Sequence, residues 1–394
     1  MKFFPKNALG AILALVFVAM FMVACGSPVE SNTPTPPDNY IENDEPVTPP
    51  DVTQPPQPPS GLQPEDENMF THIFDSELNG LRITQYHGEL TQVMIPDEIM
   101  GFPIVAIDGA TFDVLNVTDV FFPDTVQYFG WGGGRVGILT NDEKPTSWTI
   151  PHGVTHLYRV QATSVHRTST SIGTNVRHLD IPPTVQYIGE FAFSGFSSLT
   201  SLTIPYGVNR INRGTFNYTR SLLVINFPPT IEYVHSETGL LNTSWWAMQP
   251  DGIVYVGSVA FRWNGDMTSN TAVEIREGTT SIADSAFRST PLTSIVIPDS
   301  VTHIGNSAFR ETQLTDVIIP NGITSIDQLV FSDTPLISVY IPDGVTRMSI
   351  NAFFNTQLTN INIPDSVTFI AENGFGDTPL NEATQARIRE IQGQ

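Results

Sequence analysis

Leu292–Gln313 reads LTSIVIPDSVTHIGNSAFRETQ and is the first of four consecutive copies of one 22-residue unit. The next three copies are LTDVIIPNGITSIDQLVFSDTP (Leu314–Pro335), LISVYIPDGVTRMSINAFFNTQ (Leu336–Gln357) and LTNINIPDSVTFIAENGFGDTP (Leu358–Pro379). A fixed period of this length is typical of proteins in which similar units stack along one axis. The segment therefore predicts a repeat architecture.

Each copy predicts two short strands separated by a turn. Ile295 and Ile297 alternate with other residues in the period of two that is typical of a strand with one buried face. Pro298 cannot donate a backbone hydrogen bond, so we expect the first strand to end there, in a turn. The alternation in Val301–Ile304 predicts a second, shorter strand, and Asn306–Phe309 predicts one helical or 3-10 turn.

One copy is too small to fold alone. The free-energy cost of ordering its backbone is larger than the free energy gained by burying its few apolar side chains. Each copy must therefore cover its neighbour and share hydrogen bonds with it. A phenylalanine recurs every 22 residues, at Phe287, Phe309, Phe331, Phe353 and Phe375. Stacking predicts that these five rings form one buried column.

The pattern L-x-x-I-x-I-P-x-x-V-x-x-I-x-x-x-A-F resembles the BspA-like leucine-rich repeat of bacterial surface proteins, from Phe70 to Leu380. The resemblance implies a β-rich α/β solenoid, a leucine-rich-repeat right-handed superhelix with a parallel sheet, short helical or 3-10 turns, an N-terminal β cap and a C-terminal capping helix. The Ile-Pro pair or its equivalent occurs eleven times. We therefore expect about eleven coils in a domain of residues 69–380, with an insertion at 238–270.

The last residues predict the helix that closes the repeats, within a C-terminal segment of residues 381–394. Pro379–Gln392 has a proline where a first helical turn tolerates it. Leu380, Ala383, Ile388 and Ile391 fall on one helical face. Because the open end of a stack needs a cover, we expect this face to pack on the last coil.

The first residues are typical of an exported lipoprotein. Two lysines precede the apolar run Ala8–Ala24, as in a signal peptide. Met22–Cys25 resembles the bacterial lipobox, which implies a signal peptide of residues 1–24 and lipid attachment at Cys25, the single cysteine of the chain. The alternative is an uncleaved membrane anchor with an incidental cysteine. Both interpretations place the repeats outside the cytoplasm.

Residues 25–68 predict a Pro-rich, acidic, disordered stalk, because such a composition is too polar to bury a core. The formal net charge of the whole chain is −22. Nucleic acids and anionic lipid surfaces both attract basic patches, so this charge argues against either as a partner. We expect membrane contact only through the lipid at Cys25.

No motif for catalysis stands out, so we expect no catalytic residues, no metal ligands and no cofactor. Gly132-x-Gly134-x-x-Gly137 has the spelling of a dinucleotide fingerprint, but the polar sequence after it does not predict the required helix. His152 and His156 have the helical spacing of zinc ligands in a sequence that predicts a turn and a strand. An enzyme hidden within 131–175 or 238–270 is the remaining alternative.

Two surfaces are candidate binding sites. In the leucine-rich-repeat fold, the outward residues of the first strands line the concave sheet, where the register places Val296, Ile318 and Tyr340 on three successive strands. An exposed apolar cluster predicts an interaction site. The alternative is that β-branched and aromatic residues favour strands wherever these lie. The second candidate is the insertion, with Trp245, Trp246, Tyr255 and Trp263, for which packing on the solenoid is the alternative.

These observations predict a non-enzymatic, lipid-anchored leucine-rich-repeat protein of the bacterial cell surface or outer membrane. The resemblance implies protein–protein or cell adhesion, with a host matrix protein, a cell-surface protein or a surface glycan as the partner. The alternative is a structural scaffold of the envelope, or one that binds glycan or cell wall.

Overall fold

The computed structural model describes residues 60–90, 92–108, 111, 119–131, 138–140, 147–150, 152–158, 162–164, 177–268 and 271–393. The predicted signal peptide, Cys25, residues 25–59 of the predicted stalk and the glycine motif 132–137 lie outside these ranges. In the part of the chain that is described, no helix is long and apolar enough to cross a membrane.

One strand precedes each of the first ten Ile-Pro pairs or their equivalents, and together these strands form what we call the first-strand row. Neighbours that share a ladder pair in parallel. The strands are Gln92–Met94, Asp119–Phe121, Ser147–Thr149, His178–Asp180, Ser201–Thr203, Val224–Asn226, Thr271–Glu274, Leu292–Val296, Asp316–Ile318 and Ser338–Tyr340. The eleventh segment, before Ile363, has the repeat sequence without a strand.

The predicted second strand of each coil is present, and these strands form the second-strand row. They too pair in parallel. The strands are Phe102–Asp108, Tyr128–Trp131, His156–Leu157, Tyr187–Ile188, Arg210–Ile211, Tyr233–Val234, Val259–Asn264, Ser281–Ile282, His303–Ile304, Ser325–Ile326, Arg347–Met348 and Phe369–Ile370. The described chain is thus a parallel-sheet solenoid of about eleven coils.

The remaining elements lie at the beginning of the repeats and within the irregular coils. Phe70–Asp75 and Gly80–Tyr86 form an antiparallel pair, and Gly80–Tyr86 continues in parallel into the second-strand row. The other strands are Glu98–Ile99, Ile138–Thr140, Ala162–Ser164 and Gly252–Val256. Two 3-10 helices, Glu67–Met69 and Leu240–Asn242, and two α-helices, Ser244–Ala247 and Glu382–Gln392, complete the described elements.

The predicted phenylalanine column is confirmed. Phe287, Phe309, Phe331 and Phe353 are fully buried, and Phe375 is 9% exposed at the last coil. Adjacent ring centroids lie 5.5, 5.5, 5.4 and 5.0 Å apart, and the ring planes differ by 15° at most. Each ring therefore fills the space between the coils above and below it, which is how one coil completes the core of the next.

The segment after the second strand is a series of tight turns instead of a helix. The amide of Ala308 donates to the carbonyl of Gly305, which closes a β-turn and not a 3-10 turn, because Ser307 within it has a positive φ. Ser307 is the third residue of this turn and Glu311 the third residue of the turn Phe309–Thr312, and their φ values are 57° and 61°, in the left-handed region. Asn306–Phe309 therefore bends the chain back toward the next first strand without forming a helix.

Threonine hydroxyls fix the exit from three successive turns. The hydroxyls of Thr290, Thr312 and Thr334 each donate to the carbonyl of the phenylalanine three residues earlier, at 2.7 to 2.8 Å. Thr312 and Thr334 are almost wholly buried. A buried hydroxyl needs a hydrogen-bond partner, and the carbonyl supplies it, so the repeated threonine is a structural residue.

The closing helix begins later than predicted, at Glu382. Asn381 is its N-cap, and the Asn381 side chain accepts a hydrogen bond of 2.9 Å from the amide of Thr384. Pro379 lies before this cap, so its predicted place in the first turn is wrong. Gly393 ends the helix with a φ of 71°, in the left-handed region that glycine adopts readily.

The predicted packing face of this helix is confirmed except at one position. Leu380 is buried, and Ile388 and Ile391 pack on the core of the last coils. Ala383 is exposed and Thr384 is buried in its place, because Thr384 lies four and seven residues before Ile388 and Ile391 and so shares their helical face. The helix therefore covers the end of the stack.

Candidate interaction surfaces

Val296, Ile318 and Tyr340 lie at equivalent positions of the first-strand row, and we call them the first-row patch. Ile318 pairs with Tyr340 across two parallel strands, and the strand of Val296 contacts that of Ile318. Their side chains are 59%, 65% and 54% exposed. The structure therefore brings the three predicted residues together on one exposed side of the sheet.

The alternation of each strand explains why these side chains are exposed. The preceding residues, Ile295 and Val317, are buried against the core, so the next side chain points away from it. Since buried isoleucine, valine and phenylalanine already fill the core side of the coils around the patch, the fold itself does not require an apolar residue at the outward position.

Polar side chains surround the first-row patch. Glu274 pairs with Val296 on the neighbouring strand and is exposed. Asp316 and Ser338, two residues before Ile318 and Tyr340, pair with each other and are exposed. An apolar centre with a polar rim is the usual arrangement of a protein interface.

Ile337, which was not predicted from sequence, extends the exposed apolar surface of the same coil. Its side chain is 59% exposed immediately before the strand Ser338–Tyr340. The equivalent position holds threonine in the sister copies, at Thr293, Thr315 and Thr359. That exchange of a polar residue for an apolar one is the signal that identifies Ile337.

The tryptophans of the insertion pack on the solenoid. Trp245 is 9% exposed, and its ring lies edge-on to Phe227 with centroids 5.5 Å apart. Trp246 is half-buried and lies edge-on to Phe261, with centroids 6.1 Å apart. The short helix that carries both is capped by Thr243, whose hydroxyl accepts from the amide of Trp246.

Tyr255 and Trp263 lie on the two strands of the insertion hairpin, Gly252–Val256 and Val259–Asn264. The guanidinium of Arg276 lies 3.9 Å from the centroid of the Tyr255 ring, and the Tyr255 hydroxyl accepts from the amide of Arg276. Trp263 is half-buried against the core. The strand Val259–Asn264 pairs with Ser281–Ile282, so the hairpin belongs to the second-strand row. The four aromatic side chains of the insertion are buried or half-buried and do not form one exposed cluster. A binding role for these four residues stays a prediction.

An aromatic ladder that was not predicted from sequence lies on the second-strand row. His156 stacks on Tyr128 with centroids 4.8 Å apart and faces Tyr187 at 5.8 Å. Tyr158 completes the group, 5.6 Å from Tyr187. Each of Tyr128, His156 and Tyr187 directly precedes the buried residue of its strand, which is the signal for this ladder.

His156 belongs to the ladder, where its partners are aromatic rings and a hydroxyl group. Its Nδ1 lies 2.8 Å from the Thr155 hydroxyl. Burial lowers the pKa of His156 below its ordinary value, and burial raises the pKa of Tyr158, with a smaller contribution from Tyr187. Within the described ranges, no three histidine, cysteine or acidic side chains are grouped to hold a metal ion.

Comparison with solved structures gives several leucine-rich-repeat proteins. A leucine-rich cell surface protein from Faecalibacterium prausnitzii A2-165 is 21% identical, with 83% of this chain and 98% of that chain covered and a TM-score of 0.35. A leucine-rich repeat protein from Bacteroides ovatus ATCC 8483 is 20% identical, with 79% and 80% covered and a TM-score of 0.37. No curated protein matches the chain.

The family comparison agrees with the architecture. The family model described as the BspA type leucine rich repeat region matches six copies, in residues 168–243 and 253–381, which is more than half of the chain. These residues include the phenylalanine column and the first-row patch. The chain therefore belongs to the BspA-type leucine-rich-repeat family.

Proposed function

We propose that this protein is a non-catalytic scaffold of the bacterial cell surface that binds another protein through the first-row patch. The observation that carries the proposal is the exposure of Val296, Ile318 and Tyr340 on three successive coils. Water contact with three large apolar side chains is unfavourable, and a partner surface that covers them relieves it.

The rim of the first-row patch indicates the charge of the partner. Glu274 and Asp316 lie beside the apolar residues, and the whole chain carries a formal charge of −22. Complementary charges at a rim accelerate association and suppress wrong partners. The proposed partner is therefore a protein whose apolar contact site is surrounded by lysine and arginine.

Adhesion to a host matrix protein or to another cell is our proposal for the biological role. The family to which the chain belongs supports a surface location, and the lipobox-like Met22–Cys25 supports attachment through a lipid at Cys25. Under this proposal, the stalk of residues 25–68 holds the repeats away from the membrane, where the first-row patch meets the partner.

The test is a binding screen of the purified protein against matrix proteins, followed by substitution in the first-row patch. Val296→Asp places a charge in the apolar centre and is expected to weaken binding of the selected partner about tenfold or more, which corresponds to about 1.4 kcal/mol. Val224→Asp is the matched control, because Val224 is 47% exposed on the same row but outside the patch.

Equal weakening by Val296→Asp and Val224→Asp would contradict the proposed site, since it would reflect the added charge alone. If neither substitution alters binding, the partner contacts another surface. A protein that binds no matrix or cell-surface protein but retains purified cell wall would instead support the alternative of an envelope scaffold.

A further inference from the structure

We propose that a groove on the second-strand row binds a saccharide that carries a carboxylate. The groove has a volume of about 540 Å³ and is lined by side chains that include Asn306, Gln328, Arg347, Ile350, Phe369 and Glu372. This volume lies in the range of small-molecule sites. The site uses none of the residues of the first-row patch, so it goes beyond the proposed protein-binding function.

The repeat itself builds the groove. Asn306, Gln328, Ile350 and Glu372 occupy one position in four successive coils, each 22 residues after the last. Arg347 and Phe369 occupy a second position in the last two of these coils. Stacking aligns the two sets along neighbouring lines, so chemically different side chains from four coils face one open space.

Arg347 is the cation of the groove. Its guanidinium lies 4.2 Å from the centroid of the Phe369 ring, which orients it. Arg288 in the preceding coil, Arg310 in the repeats and Arg387 in the closing helix each form ion pairs with carboxylates, whereas Arg347 forms none with any described residue. A planar guanidinium donates two parallel hydrogen bonds to a carboxylate, which makes a carboxylate the matching ligand group.

The rest of the lining matches a sugar better than an acidic peptide. The Asn306 Oδ1 accepts a hydrogen bond from the backbone amide of Gln328, so the Nδ2 group of Asn306 can donate to a ligand. The Glu372 carboxylate accepts hydrogen bonds from hydroxyl groups, and because it repels every further negative charge, one carboxylate on a sugar fits the groove better than the several acids of an acidic peptide. Ile350 and Phe369, which are 51% and 42% exposed, provide apolar contact for the C–H face of a sugar ring.

The test is titration of the full chain with oligosaccharides that contain galacturonate, glucuronate or sialate, each compared with its methyl ester. The ester keeps the sugar and removes the charge. We expect at least one acid to bind and its ester to bind about tenfold more weakly, because the ester cannot accept the paired hydrogen bonds of Arg347.

Variants separate this site from general electrostatic attraction. Arg347→Gln is expected to weaken binding of the acid about tenfold, and Arg347→Lys to weaken it less, since lysine keeps the charge without the fork. Arg389→Gln is the matched control, because Arg389 is exposed on the closing helix and does not line the groove. It should leave the affinity unchanged.

Three outcomes would overturn the proposal. They are no binding of any of the acids at millimolar concentration, equal binding of acid and ester, and equal weakening by Arg347→Gln and Arg389→Gln. None of these outcomes affects the protein-binding proposal, which Val296→Asp tests on the other strand row.

Discussion

His156 is a titratable side chain enclosed by aromatic rings, and its surroundings favour the neutral form. Tyr128 stacks on one side, and Tyr158 and Tyr187 lie on the other, with centroids 4.8 to 6.4 Å from that of His156. A charged imidazolium in this position would lose part of its hydration. The ladder therefore predicts that this part of the solenoid is sensitive to acid.

The predicted consequence is a loss of stability in acid that originates at His156. Because burial lowers the pKa of His156 in the folded state, the unfolded chain binds a proton more readily. Its contribution to stability is fully present above pH 6.5, the ordinary pKa, and is lost as the pH falls below that value toward the folded pKa.

Thermal unfolding across this pH range checks the prediction. His156→Gln removes the titration and should reduce the pH dependence of the unfolding temperature, whereas His178→Gln, on an exposed side chain, serves as the control. An unchanged pH dependence in His156→Gln would show that the acid sensitivity arises elsewhere.

At the scale of elements, the closing helix shows how one residue places a whole segment. Asn381 caps the helix through its side chain, and its backbone amide donates to the carbonyl of Thr359 in the last coil at 2.7 Å. At the other end, the side-chain Nε2 of Gln392 donates to the backbone carbonyl groups of Ile370 and Ala371. The helix is therefore fixed at both ends, and Ile388 and Ile391 pack between them.

Loss of the cap should destabilise the last coils. Asn381→Ala removes the acceptor for the amide of Thr384 and is expected to cost about 1 kcal/mol in the free energy of unfolding. Asn381→Asp keeps an acceptor oxygen and adds a negative charge at the helix N-terminus, so it should retain stability. Denaturant unfolding measures both variants, and equal destabilisation by the two would argue against capping as the cause.

The regular coils were predictable from sequence because one period specifies them. The spacing of the Ile-Pro pairs and of Phe309 and Phe331 predicted the strands, the turns and the aromatic column. It also predicted the outward positions of Val296 and Tyr340, since a strand alternates its faces. The repeat period specifies the fold and not the partner that binds to it. The binding role of the first-row patch is therefore a proposal.

The irregular coils were not predictable in the same way. Tyr128, His156 and Tyr187 lie 28 and 31 residues apart, so the 22-residue period does not align them, although the structure stacks them. Tryptophan is common both in protein cores and at protein interfaces. For Trp245, only its contact with Phe227 shows that it packs on the solenoid. Local sequence does not contain that contact.

At the scale of the whole solenoid, function depends on coils that lie in register and share one core. Register aligns the first-row patch on one row of strands and the Arg347 groove on the other. It also aligns the phenylalanine column, in which Phe309 and Phe331 lie with centroids 5.5 Å apart and planes within 8°. A shift of one coil against the next would disperse all three features.

The most direct test is a double-mutant cycle on that column, measured as free energies of unfolding in denaturant. If adjacent coils share the core, Phe309→Leu and Phe331→Leu should show a coupling energy of roughly 0.5–1.5 kcal/mol, as aromatic pairs in contact do. Phe287→Leu with Phe331→Leu, two coils apart, should be additive. Additive effects for Phe309 and Phe331 would contradict the in-register stack.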